Sequence, residues 1–489
     1  MKSAGIIGSG ISGLATAIRL ASAGFQVRVL EKNGTPGGKI SELHSSGFRF
    51  DTGPSLFTMP EFVEELFLLA GKDPSNYLTY SKLSTVCRYF YENGSRINAF
   101  QDLHKFAEEI EHKTLDTRER LIAYLQKASD IYAISADVFI HKPFHKWSNL
   151  CNPQYLSALF KFPEIDAFRT MHARNSQWFK DPRLVQIFDR YATYVGSDPF
   201  KAPATLNMIA HLEHIRGAYL PDKGMYRIIT ALFELAREMG VMFDFHTEVK
   251  QLLLKDHQVT GLITTKGRYT FDVVVSDIDV HSLKEKLYGR TPPRLRSRSK
   301  YASSALVFYW GIHASFPFLD MHNILFSADY QQEFRHIFDL HSVYEDPTVY
   351  IFISSKYVPG DAPEGNENWF AMINVPPYWG QDAGTIRRAR KNIIHKINRM
   401  LNINIEKHIA TEHVLTPSGI DERTTSAGGA LYGINANGKF AAFNRHPNHL
   451  RKFKNLFFTG GSVHPGGGIP LCLSSAKIIS HEILKKYSA

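Results

Sequence analysis

The stretch from Ala4 to Lys32 constrains this chain more than any other. An apolar run, Gly5-Ile6-Ile7, meets Gly8-Ser9-Gly10-Ile11-Ser12-Gly13, and Leu14, Ala17, Ile18 and Ala21 then recur at helical spacing. A second apolar run through Val27, Val29 and Leu30 ends on Glu31. Strand, glycine turn, helix and strand in that order make one βαβ unit. Within it Gly8 permits the tight turn, Gly10 lets a pyrophosphate approach the backbone, and Gly13 lets helix and strand pack closely. The helix start, with Ser9 and Ser12 beside it, turns free N–H groups and the positive end of its dipole toward the phosphates. Glu31, about 20 residues on, stands where a carboxylate accepts ribose hydroxyls, and Lys32 follows it. The stretch therefore reads as a dinucleotide site on a Rossmann-type α/β domain.

The 489 residues leave room for more than one domain, and 44% hydrophobic with 21% charged residues is a globular composition. A net charge of +10 suits nucleic acid, anionic lipid headgroups or plain solubility. No nucleic-acid module is legible, so no nucleic-acid partner is expected. Cys87, Cys151 and Cys472 form neither a CxxC nor a metal spacing, so no metal is expected. So odd and sparse a cysteine count fits a reducing cytosol. The first strand starts too early to leave space for a leader, and no run of about 18 uncharged apolar residues is found. The expectation is a cytoplasmic protein, peripherally associated with the membrane. The 12% aromatic content hints at an apolar ligand.

Behind Glu31 come two further close-approach loops, Gly37-Gly38-Lys39 and Asp51-Thr52-Gly53-Pro54-Ser55. Residues 85–100 predict a hairpin around Asn93-Gly94, and 102–198 predicts helices broken at Pro143, Pro153, Pro163 and Pro182. Inside that region, 141–147 and 155–162 mix aromatics with basic residues, as a membrane-surface segment does. A helix from Ile228 to Met239 and a strand over 241–245 follow, and the β-branched run 271–277 reads as a buried parallel strand. A basic stretch with Arg294, Arg296, Arg298 and Lys300 opens a second insertion, which predicts strands over 305–310, 349–354 and 369–375 and a helix from Thr385 to Leu401. Near the end a strand runs into Thr459-Gly460-Gly461-Ser462-Val463-His464-Pro465-Gly466-Gly467-Gly468 and the helix from Leu471 to Lys485. Glycines this dense let a flat ring lie on bare backbone.

The order GxGxxG, Glu31, Gly37-Gly38-Lys39, Phe50-Asp51-Thr52-Gly53-Pro54 resembles the FAD-dependent amine oxidase and carotenoid desaturase superfamily. The run Gly460 to Gly466, with Gly461 in place of an acidic residue, resembles the carotenoid desaturase signature, and the chain is most similar to bacterial 1-hydroxycarotenoid 3,4-desaturases. The resemblance implies a GR2-like Rossmann-type FAD domain over 1–88, 220–288 and 416–489. It implies an inserted α+β substrate domain over 89–100 and 289–415, and a helical, membrane-associating region over 101–219. FAD would then meet Gly38 and Lys39 along its pyrophosphate and ribityl chain, and 51–55 at the flavin. Val249 would meet the adenine by its backbone, Ser276 would close over the nucleotide, and Gly460, Gly461, Gly468, Ile469 and Pro470 would lie against the flavin.

The implied activity is desaturation of a long apolar carotenoid at C3–C4 by hydride transfer to flavin N5, with oxygen or a quinone as electron acceptor. Phytoene desaturation, carotenoid or retinoid saturation or isomerisation, and a non-redox prenyl-lipid binder like the Rab GDP-dissociation inhibitors remain alternatives. The chemistry rests on the flavin itself. His464 either assists it or bonds backbone as a turn histidine, and Cys472 either links the flavin or is a small apolar thiol. Asp51 either meets the ribityl chain or caps a turn, and Arg49 and Lys39 are expected near phosphate.

Overall fold

The structure is a computed structural model describing residues 1–139, 162–288, 300–377, 381–438 and 445–487. The stretch 141–147, nearly all of 155–162, and Arg294, Arg296 and Arg298 lie outside the described residues.

Strands β1 (Ser3–Ile7), β2 (Gln26–Leu30), β3 (Met242–Asp244), β4 (Val273–Ser276) and β5 (Leu456–Phe458) form one parallel sheet in the order β5-β4-β1-β2-β3. Its register sets Ile7 between Leu30 and Ser276. The central strands are covered on both faces, which is why they read as unbroken apolar runs instead of alternating. Helix α1 (Ile11–Ser22) is buried through most of its length because it packs on the sheet and on both α2 (Tyr226–Glu238) and α3 (Ile469–Tyr487). The small residues Gly13, Ala15 and Ala17 let those neighbours come close. The sheet thus needs the first two strands, two from the middle and one from late in the chain.

A second sheet has seven strands, in the spatial order Ile409–Leu415, Ser304–Ile312, Glu367–Val375, Val349–Phe352, His322–Leu325, Thr85–Phe90 and Arg96–Phe100. The expected hairpin supplies the last two, and the expected strands of the second insertion supply three of the others. Period-two alternation divides the sheet's faces. Leu306, Phe308, Trp310, Trp369, Ala371 and Ile373 pack on Ala389, Ile393 and Ile397 of the helix Ala383–Leu401. Their neighbours Ala305, Val307, Tyr309, Phe370, Met372 and Asn374 face the other way, into a cavity.

Residues within 190–213 and Ser135 line the far side of that cavity, and helices Leu103–Lys113, Arg118–Phe139, Met171–Trp178 and Pro182–Asp189 pack in the same region. Asp102, Thr170 and Asp181 cap three of them, and Pro182 opens its helix at the first position, where no N–H is needed. Among the described residues no helix is long and apolar enough to cross a membrane.

Candidate functional site

One cavity of about 600 Å³ runs from the C-terminal ends of β1, β2 and β4 to the inner face of the seven-stranded sheet. Gly8, Gly10 and Ser12 line its first end, with Gly8 at φ +96°. A Cβ on Gly13 would lie 2.3 Å from the carbonyl oxygen of Gly8, so α1 can begin this close to the turn only with glycine there. From the opposite end of the chain come Gly461, Gly468, Ile469, Pro470 and Cys472. A Cβ on Gly467 would lie 2.6 Å from the Tyr432 ring. The helices that follow the two glycine turns meet at their starts, because the Ser12 hydroxyl donates to the carbonyl of Cys472 at 2.9 Å, across 460 residues of sequence.

Glu31 is 4% exposed and lines the cavity with both oxygens fixed. Ser9 donates from its N–H and its hydroxyl to Oε2, each at 2.8 Å. The N–H and Nδ2 of Asn33 donate to Oε1 at 2.8 and 2.9 Å. Lys32, Gly38, Lys39, Gly53, Pro54, Ser55 and Val249 line the same space. Lys39 donates to the carbonyl of Leu431 at 2.6 Å, and burial lowers its pKa. Ser9, Gly13, Ser276 and Gly460 do not line the cavity but hold what does. Thr459, next to Gly460, donates from its N–H to the carbonyl of Ser276 at 2.9 Å.

Asp51 and Arg49 lie elsewhere. Asp51 accepts from the N–H groups of Met225 and Tyr226 at 2.9 and 3.0 Å, so of its two expected roles it takes the cap, at the start of α2. Arg49 pairs with Glu42, Asp51 and Asp361 rather than approaching the phosphate end. In the strand Phe48–Asp51 the rings of Phe48 and Phe50 take the core face, which turns Arg49 and Asp51 the other way. His464 does line the cavity, and its backbone N–H donates to the carbonyl of His446 while its carbonyl accepts from Asn448. Burial pushes the Cys472 thiol up to about 11.

One functional residue carries no motif of its own in the sequence. Asp277 follows Ser276 at the C-terminal end of β4, the edge where parallel sheets bind ligands, and that position was the available signal. Its carboxylate accepts from the Gly13 N–H at 2.9 Å. Cβ atoms on Gly10 and Gly460 would stand 2.5 and 2.6 Å from its two oxygens. Asp277 is thus wedged between the two glycine turns, and burial pushes it up to about 7. A carboxyl that holds its proton longer when folded than when unfolded costs stability as pH rises from about 4 toward 7. Asp277→Asn is therefore expected to raise the melting temperature of the flavin-free protein, with a small gain at pH 4 and the full gain by pH 8. Thermal scans across that range check it, and a gain that shrinks with rising pH refutes it.

Beyond the cradle the cavity is apolar, walled by Ile165, Ala167, Leu206, Ile209, Val307, Ile324 and Met372, and two buried polar clusters line it, the second joined to Ser55 of the 51–55 loop. In the first, Arg190 donates to Glu213 at 2.8 Å, Tyr89 at 2.7 Å and Tyr194 at 3.0 Å, and Tyr191 donates to Glu213 at 2.8 Å. Burial raises the Glu213 pKa, but Arg190 beside it outweighs this and holds the carboxyl below its usual range. In the second, the Tyr350 hydroxyl lies 2.7 Å from Nδ1 of His322 and 2.6 Å from the Ser55 hydroxyl. Burial pushes His322 down to about 4, so its imidazole is neutral. Neither cluster has a motif. Their members come from six separate stretches of chain, and each alone reads as an ordinary core residue.

The model of the flavin containing amine oxidoreductases matches residues 11–484. The 1-hydroxycarotenoid 3,4-desaturase of Flavobacterium sp. (strain P99-3) is 47% identical over 480 residues, covering 98% of each chain. The 4,4'-diapolycopene oxygenase of Methylomonas sp is 30% identical over 485 residues, covering 98% of this chain and 97% of its own. Wild-type putrescine oxidase, solved with putrescine bound, superposes with a TM-score of 0.63 at 12% identity and covers 99% of each chain, a likeness of fold.

Proposed function

Since the chain belongs to the flavin-containing amine oxidoreductase family and is an FAD-dependent oxidoreductase, we propose that it introduces the C3–C4 double bond of acyclic 1-hydroxycarotenoids, a step of carotenoid biosynthesis. The residues present fit FAD. Bare backbone at Gly8, Gly10, Gly461 and Gly468 forms a cradle, the start of α1 offers N–H groups, and Glu31 is fixed beside them. When bound, FAD supplies the hydride acceptor that oxidation of a C–C bond needs. The chain's own task is to lay a long polyene along the sheet face of Val307, Tyr309, Phe370 and Met372 and to keep water out. The observation that carries this reading is the continuity of the glycine cradle and the apolar sheet face in one cavity.

The three-part division expected from the sequence belongs to the same proposal, with the nucleotide in the parallel-sheet part and the polyene on the seven-stranded sheet. That second sheet starts at Thr85, within the strand that the boundary at 88 would cut. Peripheral contact with the membrane is proposed as the route for so apolar a substrate. The net charge of +10 and Phe168, 54% exposed close to Ile165 at the cavity wall, support it. Oxygen or a membrane quinone is the proposed acceptor of the electrons.

Expression in a bacterium that makes both hydroxylated acyclic carotenoids and phytoene tests the reading. The expected product is a C3–C4 double bond in the hydroxylated pool alone; conversion of phytoene instead overturns it. A purified protein that is colourless and takes up no FAD would favour the prenyl-lipid binder.

A further inference from the structure

Resting on that reading, we propose that His322 recognises the hydroxyl at the end of the substrate and makes the site selective for hydroxylated carotenoids. His322 opens the strand His322–Leu325, on the cavity face beside Ile324. The ring is 4% exposed and held from two sides. Tyr350 lies 2.7 Å from Nδ1 and is itself fixed by Ser55 at 2.6 Å, while the Phe352 ring stacks on the imidazole at 5.2 Å between centroids. Its other nitrogen, Nε2, is buried with no hydrogen-bond partner. A preorganised polar atom left unpaired at the wall of an apolar channel is costly unless the ligand completes it.

The ligand group that completes it is narrowly defined. Burial keeps the ring neutral, so it attracts no carboxylate or phosphate as a cation would. A neutral imidazole presents Nε2 as donor or as acceptor according to its tautomer, and a hydroxyl can answer either. Cys87, Ile324 and Met372 nearby line the channel with apolar groups, which suits the hydrocarbon that follows such a hydroxyl. A carotenoid ending in hydrocarbon would bury the same channel and leave Nε2 unpaired. Sites built around a substrate hydroxyl reject the analogue lacking it for that reason.

The test uses the purified, flavin-loaded enzyme with a 1-hydroxylated acyclic carotenoid and the same carotenoid without its hydroxyl, both supplied in lipid vesicles. The readouts are kcat/KM for each substrate and bound flavin per chain. Wild type is expected to favour the hydroxylated substrate by about 100-fold. His322→Phe should bring that ratio near unity at unchanged flavin content. Tyr350→Phe, which frees the ring to turn, should lower it by about 10-fold. If His322→Phe does not fold, the ratio is read from His322→Gln, where it should again fall. An unchanged ratio in either His322 variant overturns the role of His322, as does an equal loss on both substrates, while the desaturase reading stands. A wild type that converts neither substrate, or prefers the one lacking the hydroxyl, overturns the desaturase reading and this inference with it.

Discussion

Gly13→Ala is expected to yield a protein that purifies without flavin and desaturates nothing. The added methyl would stand 2.3 Å from the Gly8 carbonyl oxygen and 3.0 Å from Oδ2 of Asp277. The first contact is backbone, so it can be relieved only by moving the turn that carries Gly8 and Gly10 out of the cradle. An affinity for FAD at least about 100-fold weaker, equivalent to about 3 kcal/mol, is the expected size. Titration of the flavin-free protein with FAD, followed by flavin fluorescence, measures it. Gly24→Ala is the matched control. Gly24 lies just past the end of α1 at φ +85°, with open space where its Cβ would go. It should cost about 1 kcal/mol of backbone strain and keep its flavin. A Gly13→Ala protein with a full complement of flavin refutes the cradle.

The second large effect belongs to the buried ion pair. Glu213→Ala leaves the Arg190 guanidinium enclosed by Tyr89, Tyr191 and Tyr194 with no counter-charge. Removing one partner of such a pair costs about 3–5 kcal/mol, because the other charge stays desolvated. A marked fall in apparent melting temperature at fixed scan rate is expected. The double variant Arg190→Met with Glu213→Leu should recover most of it, since an apolar pair of similar volume restores the packing without the charge. Because Arg190 holds the Glu213 carboxyl below its usual range, the pair's contribution is present above about pH 4.5 and is lost on acidification below it. A double variant no more stable than Glu213→Ala would refute the pair as the cause.

The parts legible in the sequence were those written as local chemistry. Gly8, Gly10 and Gly13 between two apolar runs specify a turn whose geometry only glycine reaches, and the β-branched run through Val273, Val274 and Val275 can only be a strand covered on both faces. The alternation through Leu306, Phe308 and Trp310 likewise marks a strand, though which face meets a helix and which a cavity depends on what packs there. Asp51 could not be decided from sequence, because a carboxylate that caps α2 and one that meets a ligand look identical until Met225 is brought beside it. Asp277, His322 and Glu213 were silent for a related reason. Their roles arise from groups tens to hundreds of residues away, and no spacing rule reaches that far.

The parallel sheet also has a consequence for how the enzyme is made. A ribosome delivers β1 hundreds of residues before β5, and the carbonyl that receives the Ser12 hydroxyl belongs to a helix later still. A nascent chain can shape the phosphate half of the crevice early, but its roof arrives about 460 residues later. Coenzyme loading is therefore a late event in the birth of each molecule, and the cell must hold an open, oily half-site in check until then.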